Sequence, residues 1–384
     1  MKIVTFADLH LGVSSYGYID SNTGLNTRVL NALSSFDKMI DYCVNNKIKY
    51  IIFAGDMFKN NLPTPTLQKE LNLRIKRGID NGITFYMQDG NHDVSPIVTA
   101  KSAMDPFNTL GIQNVKHSRF EAEFFIEDIR VLMLPTYCNQ EEIENILKKY
   151  NDNIRTIVVG HNTILGAKLN DWLIEANESA INSKIFKQKN IISVVLGHLH
   201  KHQILDTKPL IYYTGSLQRI DFNEDNQEKG FVELDITGDI VNYKFIEVES
   251  QEFKTIKLDL TNVNNEMEFI QNYINNEYIE NKIVRLQLQV KNDNNINDGV
   301  LLSQLKDKNV KRLVGSEWYS QCASRTVNQA LGRVIRHVGD YGAMVLIDLR
   351  YRDMLYRRLF SGWLRDSAKI YNYQKILNYL SHFF

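Results

Sequence analysis

The sequence is poor in cysteine and proline, with three and six residues among 384, and carries no net charge, having 45 Lys plus Arg against 45 Asp plus Glu. Cys43, Cys138 and Cys322 lie far apart without paired spacing. That excludes a disulfide framework and a thiolate zinc site, and points to a reducing compartment, with the cytoplasm as default. No apolar run approaches the roughly 20 residues that cross a bilayer, so no membrane association is expected. Asp8 and His10 interrupt the first apolar run, which argues against a secretory signal. With 43% hydrophobic and 23% charged residues, the composition is that of a globular chain rather than a disordered one. The length favours two or three domains.

Charge is unevenly placed. From Lys311 to Phe384 there are twelve Lys plus Arg, nine of them Arg, against five Asp plus Glu, whereas the first 310 residues hold eight Arg. This shift marks a candidate boundary near Lys311.

Before that boundary the chain alternates apolar strand and amphipathic helix. The run Ile3–Phe6 leads into Asp8-Leu9-His10. Leu30, Leu33, Phe36, Met39, Ile40 and Val44 form one stripe of a helix over 28–45, and 50–54 reads as a buried strand ending in Gly55-Asp56. A helix over 65–81 leads to a strand over 83–87 and to Gly90-Asn91-His92-Asp93. Strands are expected around Phe124 and over 130–134, followed by a helix over 140–150. The strands over 154–159 and 191–196 run into Gly160-His161 and Gly197-His198-Leu199-His200.

Strand after strand thus ends in Gly and a metal-capable side chain. Gly allows a sharp turn and a close backbone approach, which delivers the following residue to a common rim. Asp, Asn and His offer mixed oxygen and nitrogen donors suited to manganese, iron or zinc. Two metals roughly 3.5–4 Å apart polarise a phosphoryl group and activate water for in-line attack, so metal-assisted phosphoester hydrolysis is the expected chemistry.

The five motifs in this order resemble the calcineurin-like metallophosphoesterases over residues 1 to about 250, and within them the SbcD branch of DNA double-strand-break-repair nucleases. The segments Gly160–Ala167, Tyr213–Arg219 and Lys229-Gly230-Phe231 add to that likeness. The resemblance implies that Asp8, His10 and His200 hold one metal, that Asn91, His161 and His198 hold the other, and that Asp56 bridges them. It further implies two manganese ions and a catalytic His92 over the scissile phosphate. The family usually has an Asp or His three residues beyond the bridging Asp as partner for that histidine; here stands Lys59, which leaves Asp93 as the expected orienter and Lys59, with Arg219, as a DNA contact. Family members imply DNA as substrate, a homodimer and an SbcC-like SMC-type ATPase partner, located wherever the DNA is, in cytoplasm, nucleoid or nucleus.

From Gln251 the pattern changes. Strands are expected over 253–260 and 283–290, with helices over 266–273 and 300–307 and an Asn-rich loop at 292–297, similar to the capping domain that follows the SbcD core. Residues Glu317–His337, continuing to Trp363-Leu364-Arg365, resemble the arginine motif of XPD-type superfamily 2 DNA helicases. In that family Gln329, Arg333 and Arg336 would face nucleotide phosphates. No Gly-Lys dipeptide occurs, so no Walker A loop accompanies them. The expected architecture is α/β: a metallophosphoesterase β-sandwich flanked by helices (1–250), a small α+β capping domain (251–312) and a partial RecA-like helicase segment (313–384). The expected function is a metal-dependent DNA nuclease; the alternatives are another calcineurin-like phosphoesterase or a non-catalytic DNA-binding fusion with a helicase fragment.

Overall fold

A computed structural model describes residues 1–95, 101–169, 172–174, 180–289, 305 and 312–314. The expected arginine-motif residues Gln329, Arg333 and Arg336, and nearly all of the helix expected over 300–307, lie outside them.

In chain order the strands are β1 (Lys2–Phe6), β2 (Tyr50–Ala54), β3 (Thr84–Gln88), β4 (Val115–Ser118), β5 (Ala122–Ile126), β6 (Ile129–Met133), β7 (Thr156–Gly160), β8 (Lys168–Leu169), β9 (Trp172–Leu173), β10 (Ile191–Leu196), β11 (Gln203–Thr207), β12 (Leu210–Tyr213), β13 (Gly230–Thr237), β14 (Ile240–Glu247), β15 (Phe253–Asp259), β16 (Ile283–Gln289) and β17 (Arg312–Val314). The α-helices are α1 (Thr27–Asn45), α2 (Pro65–Asp80), α3 (Asp105–Thr109), α4 (Gln140–Lys149) and α5 (Glu266–Asn276).

Two six-stranded sheets form the first compact unit, in the orders β14-β13-β1-β2-β3-β4 and β11-β12-β10-β7-β6-β5. The strands from β1 to β4 run parallel, as do β6, β7, β10 and β12, while β13, β14, β5 and β11 add antiparallel pairs. Alternation along each strand sorts side chains between faces. Ile3, Ala7, Ile52 and Ala54 from one sheet join Val131, Met133, Val159, Val195 and Tyr212 from the other in the core between the sheets. Val4, Phe6, Phe53 and Met87 point the other way and pack with Phe36, Met39 and Ile40 of α1 and with Leu71 and Ile75 of α2. Leu132, Val158 and Val194 do the same on the second sheet, against Ile143, Ile146 and Leu147 of α4. Helix, sheet, sheet and helix therefore stack as four layers, and each fully buried Leu, Ile or Phe contributes about 1.5–3 kcal/mol.

Polar side chains also tie the sheets. The Thr5 and Tyr212 hydroxyls lie 2.8 Å apart, and Gln88 Nε2 donates to Leu134 O at 2.6 Å. The helices begin where their caps dictate. Asn26 accepts from Arg28 N ahead of α1, Thr64 with Pro65 opens α2, and Asn139 with Glu142 forms a reciprocal capping box for α4.

A second compact unit holds residues 256–276, 285–289, 305 and 313–314 among those described. Strands β15, β16 and β17 make a separate three-stranded sheet in that order. Helix α5 buries Ile270 and Ile274, and Leu260 N donates to Gln289 O at 2.8 Å.

Gly55, immediately after β2, has φ +96°, and a Cβ there would run into the His161 ring and come within 2.8 Å of Gly90 Cα. Gly55→Ala is therefore expected to destabilise the first unit by about 2–4 kcal/mol, combining backbone strain and overpacking. A lowered urea midpoint at constant slope is the readout, and an unchanged midpoint would show that the strand ends are not closely apposed.

Candidate metal centre

The C-terminal ends of β1, β2 and β3 in one sheet, and of β7 and β10 in the other, converge at one rim of the sandwich. Asp8 N donates to Gly55 O at 2.9 Å and His10 N to Asp56 O at 3.0 Å, so the loops after β1 and β2 are laced together. His198 N in turn donates to both Asp8 carboxylate oxygens at 3.1 Å, joining the second sheet to the first. Four of the residues at this rim hold left-handed backbone: Asp8 (φ 53°), His10 (φ 46°), Asp56 (φ 63°) and His198 (φ 91°). Such conformations cost on the order of 1–3 kcal/mol each and persist where the surroundings enforce them, which is characteristic of ligand sites.

Three sets of donor atoms each gather within 4.8 Å: Asp8, His10 and His200; Asp8, Asp56 and His161; and His10, Asp56 and His92. His10 Nε2 and His200 Nε2 stand 3.0 Å apart, so the two rings aim at one point. His161 Nε2 is 3.2 Å from Asp56 Oδ2, yet it makes no hydrogen bond while fully enclosed. Asn91 Oδ1 lies 3.2 Å from His198 Nδ1, and the His161 and His198 rings meet edge-on with centroids 5.2 Å apart. All seven metal-ligand candidates, Asp8, His10, Asp56, Asn91, His161, His198 and His200, thus come together from segments as far apart as Asp8 and His200.

The residues around His92 differ from the expectation in one respect. Asp93 does not orient it. Its buried carboxylate accepts from Met57 N, Phe58 N and Gly90 N at 2.9–3.1 Å and so fixes the loops after β2 and β3. The carboxylate is committed to three main-chain amides, which is why it is unavailable to the histidine. His92 Nδ1 instead lies 3.0 Å from the main-chain oxygen of Lys59. A carbonyl only accepts, so Nδ1 carries the proton of that bond and Nε2 remains as the nitrogen able to exchange one. His92 also approaches His10 edge-on at 4.9 Å, and its own N–H donates to Asp56 Oδ1 at 2.8 Å. Arg219 is turned inward: Nε donates to Glu224 O, Nη2 to Gln227 O and Nη1 to Ser250 Oγ.

Two buried groups were not anticipated from the sequence. Glu224 Oε1 is 2.7 Å from His200 Nδ1, and its other oxygen accepts from Lys229 Nζ at 2.6 Å and Ile220 N at 3.1 Å. Lys229 is 1% exposed and also donates to His200 O, Ser216 Oγ and Gln227 Oε1. A carboxylate on the far ring nitrogen fixes the tautomer and orientation of a ligating histidine and raises its basicity. The only signal in the sequence was the placement of Lys229 before Gly230-Phe231, which says nothing of its partner.

The electrostatics favour a cation. Burial pushes the Asp8 carboxyl up to about 6, against the pull of His161 and His200. Burial also acts on Asp56, but His161 and His10 outweigh it and hold that carboxyl well below the usual range. Burial opposes the charged form of His161, while Asp56 and Asp8 together raise it to about 9. His198 falls to about 4 through burial and the neighbouring His161. An imidazolium is here the counter-charge of two enclosed carboxylates, and a divalent ion fulfils that role while leaving neutral imidazole to ligate. The donor set, with shared carboxylates, converging ring nitrogens and an enclosed unpartnered Nε2, fits divalent metal ions.

Fold and site together define a metal-dependent phosphoesterase. The calcineurin-like phosphoesterase family matches residues 1–202, and the chain belongs to that family. The helicase C-terminal domain matches residues 265–367. The DNA double-strand break repair protein Mre11 of Sulfolobus acidocaldarius is 24% identical over 309 residues, covering 76% of this chain and 72% of that protein. A regulator of telomere elongation helicase 1 homolog of Oryza sativa is 46% identical over 84 residues, which are 22% of this chain and 8% of that protein. The chain thus spans less than a tenth of the length of that helicase relative. Among solved structures, the purple acid phosphatase PPD1 from Lupinus luteus seeds gives a TM-score of 0.44 at 12% identity, covering 64% of this chain and 51% of that one. No helix among the described residues is long and apolar enough to cross a membrane.

The Glu224 contact has a measurable consequence. Glu224→Gln should weaken divalent metal binding by about 10- to 100-fold in competition with a chelator, the usual effect of losing such a partner. Unchanged affinity would mean that His200 is oriented without it.

Proposed function

We propose that this chain is a metal-dependent DNA nuclease of the SbcD type, which hydrolyses phosphodiester bonds in DNA repair or recombination with two divalent ions, manganese being the preferred pair. The observation that carries the proposal is the seven-residue rim with His92 beside it. Similarity to Mre11 over three quarters of the chain supports DNA as the substrate.

In this reading Asp8, His10 and His200 would hold one ion and Asn91, His161 and His198 the other, with Asp56 shared between them. Ions bound there supply Lewis-acid stabilisation of phosphoryl charge and lower the pKa of the attacking water. The protein does the rest. Glu224 keeps His200 in register from behind. The lacing of Asp8 to Gly55 and His198 holds the two sheets' loops at fixed separation, which pre-sets the ligand geometry before substrate arrives. His92, with Nδ1 tied to Lys59 O, presents Nε2 to stabilise charge on the phosphoryl group or to protonate the leaving oxygen.

Lys59 is half-buried; burial chiefly, then His200, holds the His10 ring well below its ordinary pKa, and Lys59 adds to this as a lesser cause. It serves as a contact to a DNA phosphate. Because Arg219 is turned inward, its part is to hold the Glu224 segment rather than to meet DNA directly. The domain division is 1–250 for the nuclease, 251–312 for a cap over the DNA end and 313–384 for a helicase-like segment. A homodimer with an SbcC-like ATPase is the expected assembly. Gln329, Arg333 and Arg336 face nucleotide only if a partner completes the motor. The chain acts wherever the DNA is held.

Two measurements test these assignments. Full-length protein should degrade linear duplex DNA in the presence of manganese, and His92→Ala should lower the rate by about 100-fold or more with metal content unchanged, in line with loss of a general acid. Cleavage of a small phosphomonoester with DNA left intact would overturn the nuclease assignment. Lys59→Ala should leave the His92 tether in place, since the carbonyl remains, while weakening DNA binding and reducing the slope of log affinity against log salt by about one. An unchanged slope would remove Lys59 from the DNA interface.

A further inference from the structure

The segment that follows β6 runs along the metal rim and is held from two sides. Tyr137 Oη donates to Asn91 O at 3.2 Å, and Sγ of the next residue, Cys138, accepts from Asn162 Nδ2 at 3.7 Å. Asn91 is a ligand candidate and Asn162 follows His161, so the segment bridges the loops after β3 and β7 at the half of the rim where Asn91 and His161 meet His198. Thr136 Oγ1 adds a third tie by donating to Asp89 O at 3.0 Å. Burial chiefly, then the Asp56 carboxylate, raises the pKa of the Tyr137 hydroxyl, which therefore stays a neutral donor.

Despite these anchors Tyr137 is 52% exposed, and none of the core clusters includes it. A second exposed aromatic residue lies close by. Thr136 N donates to Arg119 O at 3.3 Å, so Phe120 and Tyr137 each stand one residue beyond that main-chain contact. Phe120 is 57% exposed, and both its N and its O are bonded to Ser118 Oγ, at 3.1 and 2.9 Å. The Arg119 guanidinium lies over the Phe120 ring, 4.6 Å from the centroid.

A single exposed apolar side chain is ordinary on a protein surface. Two exposed aromatic residues with an arginine, fastened beside a phosphoesterase centre, are a more specific arrangement. Rings whose hydroxyl or main chain is already fixed lose little conformational entropy when a flat partner covers them. Aromatic rings interleaved with a cation suit single-stranded nucleic acid, because every base has a π-face and the strand is anionic. A base inside a duplex has both faces covered by its neighbours, so only a strand end or an unpaired stretch can use such a surface.

We infer that Tyr137 and Phe120, with Arg119, form a platform on which an unpaired base next to the scissile phosphate stacks, which makes single-stranded or frayed DNA the preferred substrate class of the metal centre. The inference rests on the nuclease assignment and adds to it a preference that no metal ligand determines.

The experiment is steady-state cleavage, by full-length protein with manganese, of a single-stranded oligothymidylate and of a strand of equal length in which every nucleotide is a reduced abasic residue with its phosphate intact. Wild type should show a KM about tenfold lower for the base-bearing strand, within the range of one stacked base. Tyr137→Leu should remove most of that difference, while Tyr137→Phe, which keeps the ring and loses the hydroxyl, should retain it. Equal KM values in wild type, or cleavage of duplex DNA alone, overturn the inference and leave the nuclease assignment standing. Failure to cleave any DNA removes the assignment and the inference together. A wild-type ratio in Tyr137→Leu also overturns the inference, as does a loss in Tyr137→Phe as large as in Tyr137→Leu, which would assign the effect to the tie with Asn91 O. If Tyr137→Leu does not fold, Phe120→Leu decides: it should lower the ratio by at least about threefold, and an unchanged ratio overturns the platform.

Discussion

The close approach of the two sheets at their C-terminal rim is the constraint from which the rest follows. Gly197 lies so near Ala54 O and the His161 ring that a side chain would collide with both, and Gly55 and Gly90 meet in the same way. Only backbone-to-backbone contact brings Asp8 within reach of His198 N, and only then can ligands from β1, β2, β3, β7 and β10 share a few ångströms. The strain at Asp8, His10, Asp56 and His198 is sustained because three core layers, one between the sheets and one on each outer face, over-determine the strand positions.

That convergence concentrates buried charge, which by itself would be destabilising. Two enclosed carboxylates at the rim and a third in Asp93 stand without a lysine or arginine among their hydrogen-bond partners. Asp93 avoids the difficulty through main-chain amides, and burial together with Asp89 and Asp56 pushes its carboxyl well above the ordinary value. Asp8 and Asp56 have fewer such donors and depend on histidines, hence on a cation when those histidines are neutral. Behind the rim, Lys229 and Glu224 form an ion pair whose desolvation is offset by three further contacts of the ammonium. Removing either partner would leave the other as an uncompensated enclosed charge, which is far costlier than the pair itself.

Much of this was legible in the sequence, for a physical reason. Parallel strands buried on both faces read as short apolar runs, and the residue after each run is where chemistry is delivered, so Gly55-Asp56, Gly160-His161 and Gly197-His198 announce themselves. The antiparallel strand β14 did not, because it is mostly exposed and alternates poorly. Glu224 escaped because its role is set by a 3-10 turn that brings it under His200, and no spacing encodes such a contact. Asp93 was expected to orient His92 and Arg219 to contact DNA, because type and proximity in sequence do not reveal direction. Both turn inward to satisfy main-chain atoms.

Lys59 shows how a motif can change without changing its chemistry. A lysine in place of an acidic or imidazole partner would be expected to disfavour protonation of His92 and leave the ring without an anchor. The anchor is present all the same, as the carbonyl of that residue, at 3.0 Å. A neutral carbonyl fixes Nδ1–H as a carboxylate would, and so secures the orientation and tautomer of the ring. The side chain of Lys59 is then released from the role of partner. Orientation of His92 thus rests on the main chain of Lys59, through an atom that any residue at that position would supply.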